Sequence, residues 1–140
     1  IISINHENNV VQFSGANNPL YLIKSVIASE QQKNSSLRAE GVAISTDGQI
    51  AAVAPLLHND GFELYELKPN KMPIAIYEKM DAFTTHEIQL EKGDQLYMFS
   101  DGYADQFGGP KGKKFKYKPF KRMLLENADK SMQEQKEILN

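Results

Sequence analysis

Asp101 is the side chain in this sequence best placed to do chemistry. It stands in Gly93-Asp94-Gln95-Leu96-Tyr97-Met98-Phe99-Ser100-Asp101-Gly102-Tyr103-Ala104-Asp105, where an apolar run leads directly into an acidic turn. Leu96, Met98 and Phe99 are candidates for burial, so the Asp101 carboxylate should emerge at the tip of a strand. Gly102 behind it would let the backbone turn. A carboxylate held on a rigid strand end suits a hard divalent cation, which takes oxygen ligands. The plainer reading of the same residues is an Asp-Gly loop joining a strand to the next element.

The other chemical candidates are sparser. His6, His58 and His86 are isolated and read as surface histidines. His86-Glu87 lacks the second histidine of a zinc-protease helix, and Gly112-Lys113 is followed by Lys114 where a phosphate loop needs Ser or Thr. Asn34-Ser35-Ser36 matches a glycosylation acceptor, which means little without a secretory signal. The chain contains no cysteine. That removes disulfides, thiolate zinc sites and a cysteine nucleophile, and it suits a reducing, cytoplasmic setting. Were a phosphate ester cleaved here, the simplest nucleophile would be a metal-activated water.

The elements that must position Asp101 follow from patterning. Ile2-Ser3-Ile4 and Val10-Val11-Gln12-Phe13 read as a hairpin across Asn5 to Asn9. Gly15-Ala16-Asn17-Asn18-Pro19 is a second turn, leading into the strand Leu20-Tyr21-Leu22-Ile23. Ser25 to Arg38 is polar and reads as a mobile loop. Thr46-Asp47-Gly48 between two apolar runs signals another hairpin. Phe62–Leu67 alternates as a half-exposed strand, Phe83–Leu90 is a further strand, and Glu91–Asp94 turns into Gln95–Ser100. Phe120, Met123 and Leu124 then share one face of a helix. Ser131-Met132-Gln133-Glu134 has the form of a capping box opening a last helix. Antiparallel strands first and helices at the C-terminus indicate an α+β fold.

With 140 residues, 41% of them apolar, the chain has the size of one domain with a proper core. A formal charge of −2 gives no overall bias towards nucleic acid or an anionic membrane. No apolar run approaches the ~20 residues that a membrane helix needs. The sequence begins as if inside a strand and stops inside a helical pattern, so it reads as a fragment of something longer.

Three blocks occur in one order: Phe13-Ser14-Gly15-Ala16-Asn17-Asn18-Pro19-Leu20-Tyr21-Leu22, Leu67-Lys68-Pro69-Asn70-Lys71-Met72-Pro73-Ile74-Ala75, and Gly93 to Asp105. Together they resemble the metal-dependent protein serine/threonine phosphatases (the PPM family), in the bacterial branch like the sporulation stage II E phosphatase. The resemblance implies a β-sandwich flanked by helices, with residues 1–140 as the C-terminal portion of the domain and 25–61 as an insertion. It further implies two Mn or Mg ions, a bridging hydroxide that attacks phosphoserine or phosphothreonine, and Asp101 as one metal ligand. Asp105, where the branch often carries an acid, is a second candidate: a metal ligand, a residue behind the ligands, or the cap of a following helix. A phosphorylated regulatory protein as partner and an N-terminal sensor module are likewise implied by the resemblance.

The departures from that pattern are large. No Asp-Gly-x-Gly-His block precedes Phe13, and no Asp-Asp strand closes the chain. One carboxylate cannot hold two cations, so this chain alone is expected to be inactive. The rival reading is a non-catalytic protein-binding module of the same fold. Gly109 to Arg122 carries 7 of the 16 basic residues, no acids, and Phe115, Tyr117 and Phe120 interleaved. Such a stretch can track phosphates and stack bases, but a loop anchored to the core by its aromatics is the better reading. Lys113, Lys114 and Lys116 then become candidates for steering a phosphoprotein substrate towards Asp101.

Overall fold

The computed structural model describes residues 1–26, 42–46, 49–75, 81–108 and 112–140. Two antiparallel sheets carry the fold. One runs β1-β2-β8-β4-β5, from β1 (Ile2–Asn5), β2 (Val10–Phe13), β4 (Val42–Thr46), β5 (Gln49–Val53) and β8 (His86–Gln89). The other runs β6-β7-β3-β9, from β3 (Leu20–Ser25), β6 (Leu57–His58), β7 (Phe62–Leu67) and β9 (Gln95–Met98). A short ribbon of β10 (Phe107–Gly108) and β11 (Lys113–Lys114) follows α1 (Asp101–Ala104), and α2 (Tyr117–Glu126) and α3 (Met132–Leu139) close the chain. This is the expected α+β order, strands first and helices last.

β3 is the hub, because it is apolar on both faces. Leu20 and Leu22 point between the sheets, among Phe13, Ile44, Tyr65, Leu67 and Ile88. Tyr21 and Ile23 point the other way, against Leu64 and the helical residues Phe120, Leu124, Leu125 and Ala128. All four are at most 1% exposed, and burying each such side chain is worth roughly 1.5–3 kcal/mol. The layers are therefore sheet, sheet, helix. β7 was expected to be half-exposed, and here the structure differs: Tyr65 and Leu67 face the sandwich while Leu64 faces α2, so both sides are covered.

α2 buries Phe120, Leu124 and Leu125. Its Lys121 reaches Glu66 of β7 at 2.7 Å and lies 5.1 Å from the Tyr21 ring centroid. α3 opens with the expected capping box: Ser131 Oγ accepts from the Glu134 amide, and the Ser131 amide donates to the Glu134 carboxylate at 2.9 Å. The same helix brings Gln135, 3% exposed, onto β9. Tyr97 hydrogen-bonds Gln135 Oε1, Gln135 Nε2 donates to Gln95 Oε1 at 3.2 Å, and Gln95 Nε2 donates to the Ala128 carbonyl at 2.7 Å. Every member of this buried group has a partner, which fixes how the helix sits.

Several expectations are refined. Phe83–Leu90 is a strand only over His86–Gln89, and Gln95–Ser100 only over Gln95–Met98. Met98 is 61% exposed, because β9 is the last strand of its sheet and the sandwich leaves that side chain uncovered. His86 is not a free surface histidine: Thr46 Oγ1 lies 3.0 Å from its Nδ1, its Nε2 lies 3.1 Å from the Lys68 carbonyl, and its ring stacks on Phe13. The polar loop from Ser25 falls largely on residues 27–41, outside the described residues, as do Asp47 and Gly48. The strands around those two pair with Thr46 opposite Gln49, as a tight hairpin requires. β4 and β5, from within residues 25–61, are built into the larger sheet beside β8.

Candidate functional site

Strand register brings the three sequence blocks to one end of the smaller sheet. Leu20, the first residue of β3, lies opposite Leu67 of β7 and opposite Met98 of β9. The chain therefore enters β3, leaves β7 and leaves β9 at the same edge. Gly15 to Pro19, Lys68 to Asn70, and Phe99 to Asp101 are neighbours there.

The first two loops are fastened together. Gly15 has no room for a side chain: a Cβ would stand 2.5 Å from the Phe13 ring and 2.8 Å from the Asn18 carbonyl. Asn17 takes a left-handed backbone (φ 61°), which asparagine tolerates. Asn70 clasps this turn, donating its amide to the Gly15 carbonyl and accepting from the Asn17 amide, each at 2.9 Å. Its side chain accepts from the Thr84 amide at 2.9 Å.

The third loop carries the carboxylates. Ser100 is extended, Asp101 opens the one-turn helix α1, and the Asp105 amide closes it onto the Asp101 carbonyl at 2.9 Å. Asp101 is exposed and, among the described residues, has no ion-pair partner. Gly102 does not make a left-handed turn, and a Cβ there would meet only Ser100 Oγ at 3.4 Å. The sharp turn expected of Gly102 is made without it. Asp105 ends α1 and does not cap a following helix; its carboxylate pairs with Lys114 at 2.8 Å. Both partners are part-exposed, so the pair contributes at most about 1 kcal/mol.

Asp94 lies at the other end of β9, away from Asp101. Its side chain is nearly sealed in the turn, accepting from the Glu91 amide and pairing with Lys24 of β3 at 3.1 Å. Burial raises its pKa even against Lys24. Its work is to hold the strand.

Residues 109–111 of the basic stretch lie outside the described residues; residues 112–122 run through β11 into α2 and are anchored to the core by their aromatics, so the expected loop is largely helix. Phe120 is buried, Phe115 stands edge-on to Tyr103, and Tyr117 lies against Phe99. Lys113 and Lys116 are exposed and, among the described residues, have no acidic partner. Lys116 adopts a left-handed backbone (φ 71°) as α2 begins, its amide tied to the Ala104 carbonyl at 2.7 Å. Sequence reasoning missed Tyr117 as part of the site. Tyr117 is exposed, and its phenol pKa is raised by slight desolvation and then by the fields of Asp101 and Asp105, which reach it. No local pattern signals this; only the ribbon's return places Tyr117 beside residues so near in sequence.

Asp101 is available to a cation, whereas Asp105 is engaged with Lys114. No group of three or more His, Cys, Asp or Glu side chains among the described residues could hold a metal ion. These residues do not by themselves fit a two-ion centre.

Residues 51–139 match the family model of stage II sporulation protein E (SpoIIE). The chain belongs to the SpoIIE family. This bears out the PPM-type resemblance, and the SpoIIE match takes in the second and third loops together with all three helices. The Gly15–Pro19 loop precedes the matched range and is joined to it through Asn70. No curated protein and no solved structure matches the chain.

Proposed function

We propose that this SpoIIE-family chain forms one wall of a metal-dependent phosphoprotein phosphatase that hydrolyses phosphoserine or phosphothreonine on a regulatory protein. The observation that carries the reading is the convergence of the three family-like blocks at one sheet end, with an exposed Asp101 carboxylate there that has no ion-pair partner among the described residues. Asp101 serves as one ligand to Mn or Mg, and the remaining ligands come from outside the described residues. Bound cations of this kind lower the pKa of water and neutralise charge on a phosphoryl group. Asp105 acts from behind, held by Lys114, and Lys113 and Lys116 attract the phosphoprotein. An N-terminal sensor module in the whole protein sets when the site works, in the cytoplasm.

The test is a Mn- and Mg-dependent assay on phosphopeptides with the full-length product of the gene, its Asp101→Asn variant, and this chain alone. Activity is expected in the full-length protein only. Asp101→Asn should lower it at least about 100-fold, the scale of removing one preorganised electrostatic stabiliser. A full-length protein inert with both ions would leave a protein-binding module as the better reading.

A further inference from the structure

A groove of about 360 Å³ runs along α2, lined by Phe115, Lys118, Pro119, Arg122, Met123 and Glu126. That volume lies at the small end of ligand sites, which span roughly 300–1,000 Å³. Phe115 and Met123 are half-buried, their inner sides packed on the helix-side core. They give the groove an apolar floor. Lys118 and Arg122, one turn apart on α2, stand over that floor.

These two cations are distinct from the others nearby. Lys114 is paired with Asp105 and Lys121 with Glu66. Lys118 and Arg122 are exposed and, among the described residues, have no ion-pair partner; Glu126, one turn beyond Arg122, makes no ion pair with it. Together Lys118 and Arg122 form a short basic strip, unneutralised among the described residues, beside an apolar slot.

We propose that the α2 groove docks an acidic segment of a partner protein, seating one apolar side chain against Phe115 and Met123 and pairing flanking carboxylates with Lys118 and Arg122. The charge of the strip selects an acidic partner, and Glu126 at the far end repels carboxylates there, which orients the segment. A nucleic acid fits less well, because the aromatic that lines the groove, Phe115, is half-buried and packs edge-on to Tyr103, while the exposed Phe107 lies outside the groove. That the segment belongs to the phosphatase substrate rests on the function proposed above. The docking itself does not.

The test is fluorescence anisotropy with the full-length protein and a short fluorescein-labelled peptide of Asp and Glu around one Leu, carrying no phosphate. Lys118→Glu with Arg122→Glu should weaken binding at least about tenfold, the scale for reversing two exposed charges. Lys92→Glu with Lys136→Glu, an equal charge change at exposed sites elsewhere, should leave it unchanged, and replacing the peptide Leu by Gly should weaken it. Circular dichroism checks folding; if the reversal variant is unfolded, Lys118→Gln with Arg122→Gln is read instead, with a smaller loss expected. The proposal is overturned if the peptide does not bind, if both double variants behave alike, or if a single-stranded oligonucleotide displaces it through the same two residues. Because the probe has no phosphate, failure of the phosphatase reading leaves this result readable.

Discussion

Gly15 shows how tightly the Asp101 end of the sheet is packed. A methyl group there would strike the Phe13 ring and the Asn18 carbonyl together, and the carbonyl is backbone that cannot swing away. Gly15→Ala should destabilise the fold by about 1–3 kcal/mol, the usual cost of overpacking, seen as a lower urea midpoint with an unchanged slope. An unchanged midpoint would mean that the turn has slack. Single residues were legible in the sequence where local order decides them. Asp101 just beyond β9 is such a case, since an apolar run followed by an acid marks where the strand has ended, although Asp101 itself opens α1. His86, Met98 and Tyr117 were not. Whether His86 is free depends on Thr46 and the Lys68 carbonyl, and whether Met98 is covered depends on which strand ends the sheet.

Among the elements, α3 was the most legible, because a capping box is contained in four consecutive residues. Glu134 is itself exposed, and its pKa is lowered by the Ser131 hydroxyl and amide. Ser131→Ala should cost about 1 kcal/mol, typical of losing an N-cap. The loss should register as earlier thermal melting, and no change in melting would show that packing of Gln135 alone holds the helix. β7 was harder to read. Its alternation suggests one wet face, yet Glu63 and Glu66 of β7 are half-buried and partnered: Glu63 accepts from the Tyr65 hydroxyl, and Glu66 pairs with Lys121 of α2. Satisfied charges inside a layered fold look like solvent-facing ones in a sequence. The groove on α2 was hidden for a related reason, since Lys118 and Arg122 matter only once their neighbours are seen to be paired.

For the molecule as a whole, the two cores are tied to two buried phenols, Tyr65 between the sheets and Tyr21 under α2. Burial pushes both pKa values far above the ordinary value near 10; Glu63 adds to the effect at Tyr65 and Glu66 at Tyr21. An unfolded chain ionises its tyrosines at the ordinary value, so the folded state keeps its full advantage below about pH 10 and loses it steadily above. Alkaline titration should therefore show tyrosinate absorbance appearing together with loss of circular dichroism. Tyr21→Phe and Tyr65→Phe should each flatten that pH dependence, and early ionisation with the structure intact would refute the argument. The α+β layering was legible from the order of strands and helices, but the pairing of β3 was not, since both its partners are distant in sequence. That topology bears on how the protein is made. β3 leaves the ribosome long before β7 and β9 exist, and at roughly 5–20 residues per second its four apolar side chains wait several seconds for their neighbours. Until β9 arrives β3 is itself the open edge of its sheet, so the nascent chain carries its stickiest segment uncovered and depends on whatever shields it during synthesis.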